Sequence, residues 1–147
     1  MAKVCWQDEV VFACAPNHEL ATRLSVTIDE IVSYPFICRE EGSGPRDVIC
    51  EYLAKYDKNL NDLDLTIELK SPESIKSAIE AGLGSSILSV APVSKELRLG
   101  ALAAVSLARP VRRPFSIVYQ RQEFRRHAME EFLAFAEEHY EEKRLMA

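Results

Sequence analysis

One pattern occurs twice in this chain and leaves few folds open to it: a short apolar run, a polar turn, a serine, a proline, then a helical stripe. In the first copy, Phe36-Ile37-Cys38 reads as a buried strand from its unbroken apolar character, and Arg39-Glu40-Glu41-Gly42-Ser43-Gly44-Pro45-Arg46 follows it. Ser43 is placed to cap the next helix, and Pro45 fits its first turn. In the second copy, residues 64–69 form the strand, Ser71 the cap and Pro72 the first helical residue. Ile75, Ala78, Ile79 and Ala81 make the stripe, Gly82 and Gly84 end the helix, and residues 85–90 read as the next strand. Two consecutive strand–helix units with short links predict a parallel α/β sheet with right-handed crossovers, strands 35–39, 64–69 and 85–90 lying side by side. Ligands of such sheets sit beyond the carboxyl ends of the strands. There the helix N-termini offer unpaired N–H groups and the positive end of the helix dipole, a setting suited to anions.

Around this pair the chain parses into further elements. Residues 8–15 predict a strand and Pro16-Asn17-His18-Glu19 a turn. Thr27-x-x-Glu30 has capping-box spacing and opens a short helix to about Val32. Helix 45–56 presents Val48, Ile49, Tyr52 and Leu53 on one face. Pro92 begins a brief helix to Leu97, and Gly100 precedes a strand over 101–107. Arg109-Pro110-Val111-Arg112-Arg113-Pro114 reads as a connector, because two prolines remove ladder donors and arginines resist burial. A strand over 115–120 leads to a helix over 124–140 with Ala128, Phe132, Phe135 and Ala136 turned inward. The charged tail, 141–147, is expected to fray.

Composition narrows the function classes. The 147 residues suffice for a domain with a real core, at 48% hydrophobic and 28% charged. No apolar run approaches the ~18 residues that span a bilayer, and Met1 to Asp8 lacks the apolar stretch of a secretory signal. A net charge of −5 is a poor basis for wrapping nucleic acid. Arg109, Arg112, Arg113, Arg121, Arg125 and Arg126 are a local exception, read either as a solvated face balanced by glutamates or as a phosphate-contacting patch. Cys5, Cys14, Cys38 and Cys50 show neither Cys-x-x-Cys spacing nor paired histidines, and predict free thiols of a reducing, cytoplasmic protein. No Ser–His–Asp order, paired-carboxylate motif or glycine-rich phosphate loop is present. The expectation is a non-enzyme without metal or cofactor, with His18 serving its turn rather than catalysis.

The stretches "DEVVFACAPNHELA", "PFICREEGSGPR", "IELKSPESIKSAIEAGLGSSILS" and "VRRPFSIVYQR", in that order, closely resemble the effector-binding domain of LysR-type transcriptional regulators. The resemblance covers about Asp8 to Phe135 and is nearest to the branch with regulators of sulfur assimilation and carbon fixation. It implies a lobe like that of type II periplasmic binding proteins: a parallel sheet core, flanking helices and an antiparallel pair of crossing strands. On that reading residues 1–15 are the first crossing strand and 16–108 the second α/β lobe. Residues 109–147 are then the return crossing and the C-terminal helix of a first lobe that is incomplete here. The resemblance further implies a small-molecule or anionic effector held between the lobes, and DNA contacts made only through a helix-turn-helix domain outside this chain. Phe12, Phe115, Ile117, Phe132 and Phe135 would lack part of their usual cover, so a homo-oligomer such as a dimer is expected, with no membrane partner. The alternative is a small-molecule binding protein of the periplasmic type without a regulatory role.

The effector-binding candidates are Arg39, Glu41, Gly42, Ser43, Gly44, Ser71 and Ser89. Ser43 and Gly44 lead, because the resemblance places polar and backbone contacts to the effector in this loop. Pro45 stands where family members often carry Thr, which removes one N–H and one hydroxyl. Arg39 has two partners open to it, an effector anion held by its fork or a neighbouring glutamate. One of Glu40 and Glu41 faces the ligand edge, since adjacent residues point opposite ways. Ser71 is a cap by spacing, and Ser89 ends a strand at the same edge.

Overall fold

The computed structural model describes residues 2–119 and 127–146. Its strands are β1 (Ala2–Cys14), β2 (Ser25–Val26), β3 (Pro35–Arg39), β4 (Asp64–Leu69), β5 (Ser86–Ser89) and β6 (Ala103–Val118). Its α-helices are α1 (Ile28–Ile31), α2 (Gly44–Ala54), α3 (Pro72–Glu80), α4 (Val90–Leu99) and α5 (His127–Met146). They fall into two compact units, Glu9–Val111 and Met1–Asp8 with Arg112–Ala147.

In the larger unit, β3 and β4 pair in parallel, Arg39 opposite Leu69. The third expected parallel neighbour joins β3 through one bridge, Phe36 to Ser85. Ile37 N–H donates to Ser85 O (2.8 Å) and Ser85 N–H to Pro35 O (2.9 Å), while Ser86 Oγ donates to Ile37 O (2.7 Å). Past this bridge the chain changes partner. β5 pairs antiparallel with β1, Val10 opposite Ser89, in a sheet ordered β2-β6-β1-β5. Gly84 permits the close approach: a Cβ there would lie 3.0 Å from both Ile37 Cγ1 and Pro35 O.

The unbroken apolar runs are explained by burial on both faces. Phe36 and Cys38 share one core with Phe12, Cys14, Ile49, Tyr52 and Leu53. Ile37 and Ala13, of opposite parity, join Ile75, Ala78, Ile79 and Val93 in another. Lys76 is the one buried lysine among the described residues. Its ammonium is paired, as a buried charge must be, with Glu73 (2.8 Å) and Glu96 (3.0 Å), and donates to Pro92 O (3.2 Å). That clip ties α3 to α4.

Several expectations are corrected. β1 begins at Ala2 rather than near Asp8, and Phe12, expected to lack cover, is fully buried. The 109–114 connector does not interrupt the strand: β6 runs through it from Ala103 to Val118. Pro110 and Pro114 are four residues apart, so both missing donors fall on the same edge of β6. A strand tolerates proline where no partner needs its donor; among the described residues β2 meets β6 only at Ser106 and Leu107.

In the smaller unit, Trp6 stacks on Phe115 with ring centroids 5.9 Å apart. The helix buries Leu133 and Ala136, while Phe132 (58% exposed) and Phe135 (64%) face solvent, as does Ala128, against the expected inward set. Residues 132–136 are all apolar, so periodicity alone selects no single arc. The helix continues to Met146 instead of ending near Tyr140, and its expected start at 124–126 lies outside the described residues.

Candidate functional site

β3, β4 and the segment leading into β5 run in one direction, so their carboxyl ends gather at one edge and feed three helix N-termini. Ser43 caps α2, its Oγ accepting from Arg46 N–H (3.3 Å), and is 9% exposed. Ser71 caps α3, its Oγ accepting from Ser74 N–H (3.1 Å) and lying 2.8 Å from Ser74 Oγ. Ser89 is the N-cap residue of α4, yet its side chain makes no cap hydrogen bond. The loop from β3 to α2 turns at Gly42, whose φ of +83° lies in the left-handed region that favours glycine. Gly44 opens α2 with free space where a side chain would stand. Arg39, Glu41, Gly42, Ser43 and Gly44 thus follow one another around this edge, with Ser71 across the parallel pairing and Ser89 beyond the other side of β3.

Of the two partners open to Arg39, the structure selects the neighbouring carboxylate. Nε donates to Glu40 Oε2 (2.7 Å) and Nη2 to Glu40 Oε1 (3.0 Å). This fork lowers the Glu40 carboxyl to about 2, chiefly through the Arg39 hydrogen bonds, and raises Arg39 above its ordinary value. Glu41 stays exposed. Arg46 and Glu68 were not singled out in the sequence. Arg46 Nη1 donates to the Arg39 carbonyl (2.8 Å) and to Glu68 Oε2 (2.5 Å), pinning the first turn of α2 to the ends of β3 and β4. The readable signal was their placement: Arg46 three residues after the cap, and Glu68 opposite Cys38 in a parallel register.

Other candidates lie apart. An open depression of about 490 Å³, lined by Glu19, Leu20, Arg23, Asp29, Glu30, Ser33 and Tyr34, sits before the start of β3, at the opposite end from Arg39. Beside it His18 serves its turn, Nδ1 accepting the Leu20 N–H (3.1 Å) and the ring packing on Tyr34 at 4.6 Å. Burial lowers the His18 pKa, partly offset by Glu19. Since the folded value lies below the unfolded value of about 6.5, protonation favours the unfolded chain. The His18 contribution is present above the unfolded value and declines as pH falls through it. Urea midpoints at pH 7.5 and 5.5 should therefore differ more in the parent chain than in His18→Gln. Equal differences would remove His18 from the pH response.

Cys14 and Cys38 are buried free thiols and Cys50 is half-buried. Burial pushes Cys14 up to about 11 and raises Cys38, so both hold their protons near neutrality and are poor nucleophiles. Cys5 has no described side chain. Of the arginine cluster, Arg109 lies over the Tyr56 ring at 5.3 Å; Arg121, Arg125 and Arg126 lie outside the described residues. Among the described residues no three His, Cys, Asp or Glu side chains are grouped to hold a metal ion, and no helix is long and apolar enough to cross a membrane.

The family profile described as LysR substrate binding domain matches residues 2–141. The chain is 33% identical over 132 residues to YeiE, an uncharacterized HTH-type transcriptional regulator of Escherichia coli (strain K12), covering 89% of this chain and 44% of that protein. It is 41% identical over 95 residues to the HTH-type transcriptional regulator CbbR of Cereibacter sphaeroides, covering 65% of this chain and 29% of CbbR. The chain therefore spans less than half the length of these relatives. Among solved structures, the CcmR regulatory domain of Synechocystis PCC6803, in complex with 2-PG, superposes with a TM-score of 0.81 at 23% identity, covering 93% of this chain and 65% of that one. The effector binding domain of QuiR, in complex with shikimate, gives 0.77 at 18% identity, covering 97% and 66%. These likenesses place the fold with effector-binding domains of the periplasmic-binding-protein-like type.

Proposed function

The chain belongs to the LysR substrate-binding domain family, and from that premise we propose that it is the effector-sensing part of a LysR-type transcriptional regulator, taking up a small anionic metabolite at the carboxyl edge of β3, β4 and β5. The observation that carries this is the convergence of three helix N-termini on that edge, beside Arg39 and Lys70. Backbone N–H groups and dipoles there favour negative charge before any side chain moves. Arg39, Glu41, Gly42, Ser43, Gly44, Ser71 and Ser89 are the proposed contact set, with Ser43 and Gly44 closest to the ligand. The relatives are named as transcriptional regulators, which favours this reading over a periplasmic-type binding protein without a regulatory role. It assigns the chain no catalysis.

In this reading the effector acts by population shift: it stabilises the conformations in which its contacts are complete, and the regulator's promoter contacts follow. DNA is met through a helix-turn-helix segment outside these residues. Residues 1–15 and 109–147 supply the crossing strands and C-terminal helix of the first lobe, and 16–108 the second. Copies of the chain associate, and the whole acts in the cytoplasm.

Titration calorimetry with a panel of small phosphate- and carboxylate-bearing metabolites identifies the ligand. Ser43→Ala is then expected to weaken its binding about tenfold or more, the scale of one hydrogen bond to a charged group, and to lower stability by about 1 kcal/mol through loss of the cap. In a regulator carrying these residues, its effector response should fall while effector-free DNA affinity stays unchanged. Binding unaffected by Ser43→Ala, or confined to the face around Glu19 and Arg23, would sink the proposal.

A further inference from the structure

The proposed effector edge already contains an anion of its own. The Arg39 guanidinium is occupied on two donors by Glu40, and the side chains are only 15% and 29% exposed. Arg39 and Leu69 are paired across the parallel ladder. One residue further on, therefore, Lys70 stands beside Glu40, close enough for its charge to stabilise the carboxylate. Glu40 thus lies among Arg39, Lys70 and the N-terminus of α2, in the field where an incoming anion would be most stable. The carboxylate is held by the residue next to it in sequence, so no loop has to close to keep it there, and its effective concentration is high. The surroundings still let it leave. Gly42 follows two residues later, no atom stands within 4 Å of where a Cβ on Gly44 would lie, and Glu41 is already in solvent.

We propose that Glu40 is a built-in competitor of the effector: it holds Arg39, with the Lys70 charge nearby, in the empty state and is displaced by an anion of higher charge. This rests on the reading of the carboxyl edge as the effector site and adds a rule of selection to it. A singly charged carboxylate exchanges one carboxylate for another and gains little. A dianionic group, a phosphate monoester or inorganic phosphate, brings a second charge to the same two cations and the helix N-terminus, and wins the exchange. The competitor therefore filters out the abundant monocarboxylates and sets the ligand class as dianionic oxyanions.

The test uses the 147-residue chain, with inorganic phosphate and acetate as probes, at low and moderate salt. Affinity is read by calorimetry, and location by amide shifts of Gly42, Gly44 and Lys70. Glu40→Gln keeps the shape of the side chain and removes its charge, and its amide oxygen can still accept from Arg39. Thermal unfolding confirms that the variant folds. Phosphate should bind Glu40→Gln about tenfold more tightly than the parent, the order expected for removing a like charge at short range, with a smaller gain as salt rises. Acetate should bind only the variant. Adding Arg39→Gln to Glu40→Gln should abolish the gain. Equal phosphate affinities in parent and Glu40→Gln, with shifts at Gly42 and Gly44 in both, overturn the competitor and leave the effector site standing. No binding, or shifts confined to other residues in both chains, overturns the competitor and the site together.

Discussion

Truncating Phe36 to alanine should lower the unfolding free energy of the Glu9–Val111 unit by about 3–5 kcal/mol. Phe36 is fully buried at the centre of β3. Its backbone pairs with Leu65 on one side and Ser85 on the other, and its side chain belongs to the core shared with Ile49, Tyr52 and Leu53 of α2. The void cannot close easily, because β3 is held on both edges and helices pack on both faces. A domain of this size has roughly 5–15 kcal/mol in total, so the variant should lose a large part of its stability and populate the unfolded state at modest urea. Leu65→Ala is the control: its side chain is 41% exposed on the neighbouring strand, and its loss should cost about 1 kcal/mol or less. Urea titrations followed by far-ultraviolet circular dichroism separate the two. Similar small losses in both variants would mean that the sheet does not carry the core described here.

What could be read from the sequence is what is decided within a few residues. The Thr27–Glu30 capping box, the Ser43 and Ser71 caps and the 64–69 strand all stand as expected, because a cap needs only a hydroxyl and an N–H three residues later. The carboxyl edge was legible for the same reason: cap, turn glycine and proline are local signals that locate a helix N-terminus. Features decided by distant partners were not. Whether Arg39 meets Glu40 or an external anion depends on loop geometry, and the Arg46–Glu68 pair depends on strand register. Proline at 110 and 114 reads as a break, because the residues themselves do not say where along a strand a ladder donor is needed. β5 changes from β3 to the antiparallel partner β1, and no residue pattern within 85–90 announces that exchange.

The helix α5 shows the largest departure, and it carries the other large expected effect. Phe132 and Phe135 are one turn apart, share a face and stand 58% and 64% exposed, the latter stacked on His139 at 5.7 Å. Phe115 and Val118 of the same unit are also exposed, at 49% and 77%. Isolated apolar side chains at a surface are ordinary, but paired phenyl rings on one helix face favour association. In a two-fold contact each copy contributes the same pair, so four rings leave water. At roughly 1.5–3 kcal/mol each, that is about 6–12 kcal/mol before costs. Association itself costs about 4–15 kcal/mol, so even the most favourable balance, about 8 kcal/mol, corresponds to a dissociation constant of about a micromolar, and nanomolar self-association is out of reach. Glu130, Glu131 and Glu138 are exposed on the same helix, and two copies would bring these like charges together; screening should therefore strengthen the contact as salt rises. Sedimentation velocity over a range of micromolar concentrations should show a dimer or larger species, increasing with salt. The double substitution Phe132→Glu, Phe135→Glu should return the chain to 16.6 kDa while leaving its unfolding midpoint in dilute solution nearly unchanged. A parent chain that sediments as a monomer throughout that range, or a double variant that still associates, would show that this helix face is not where copies meet.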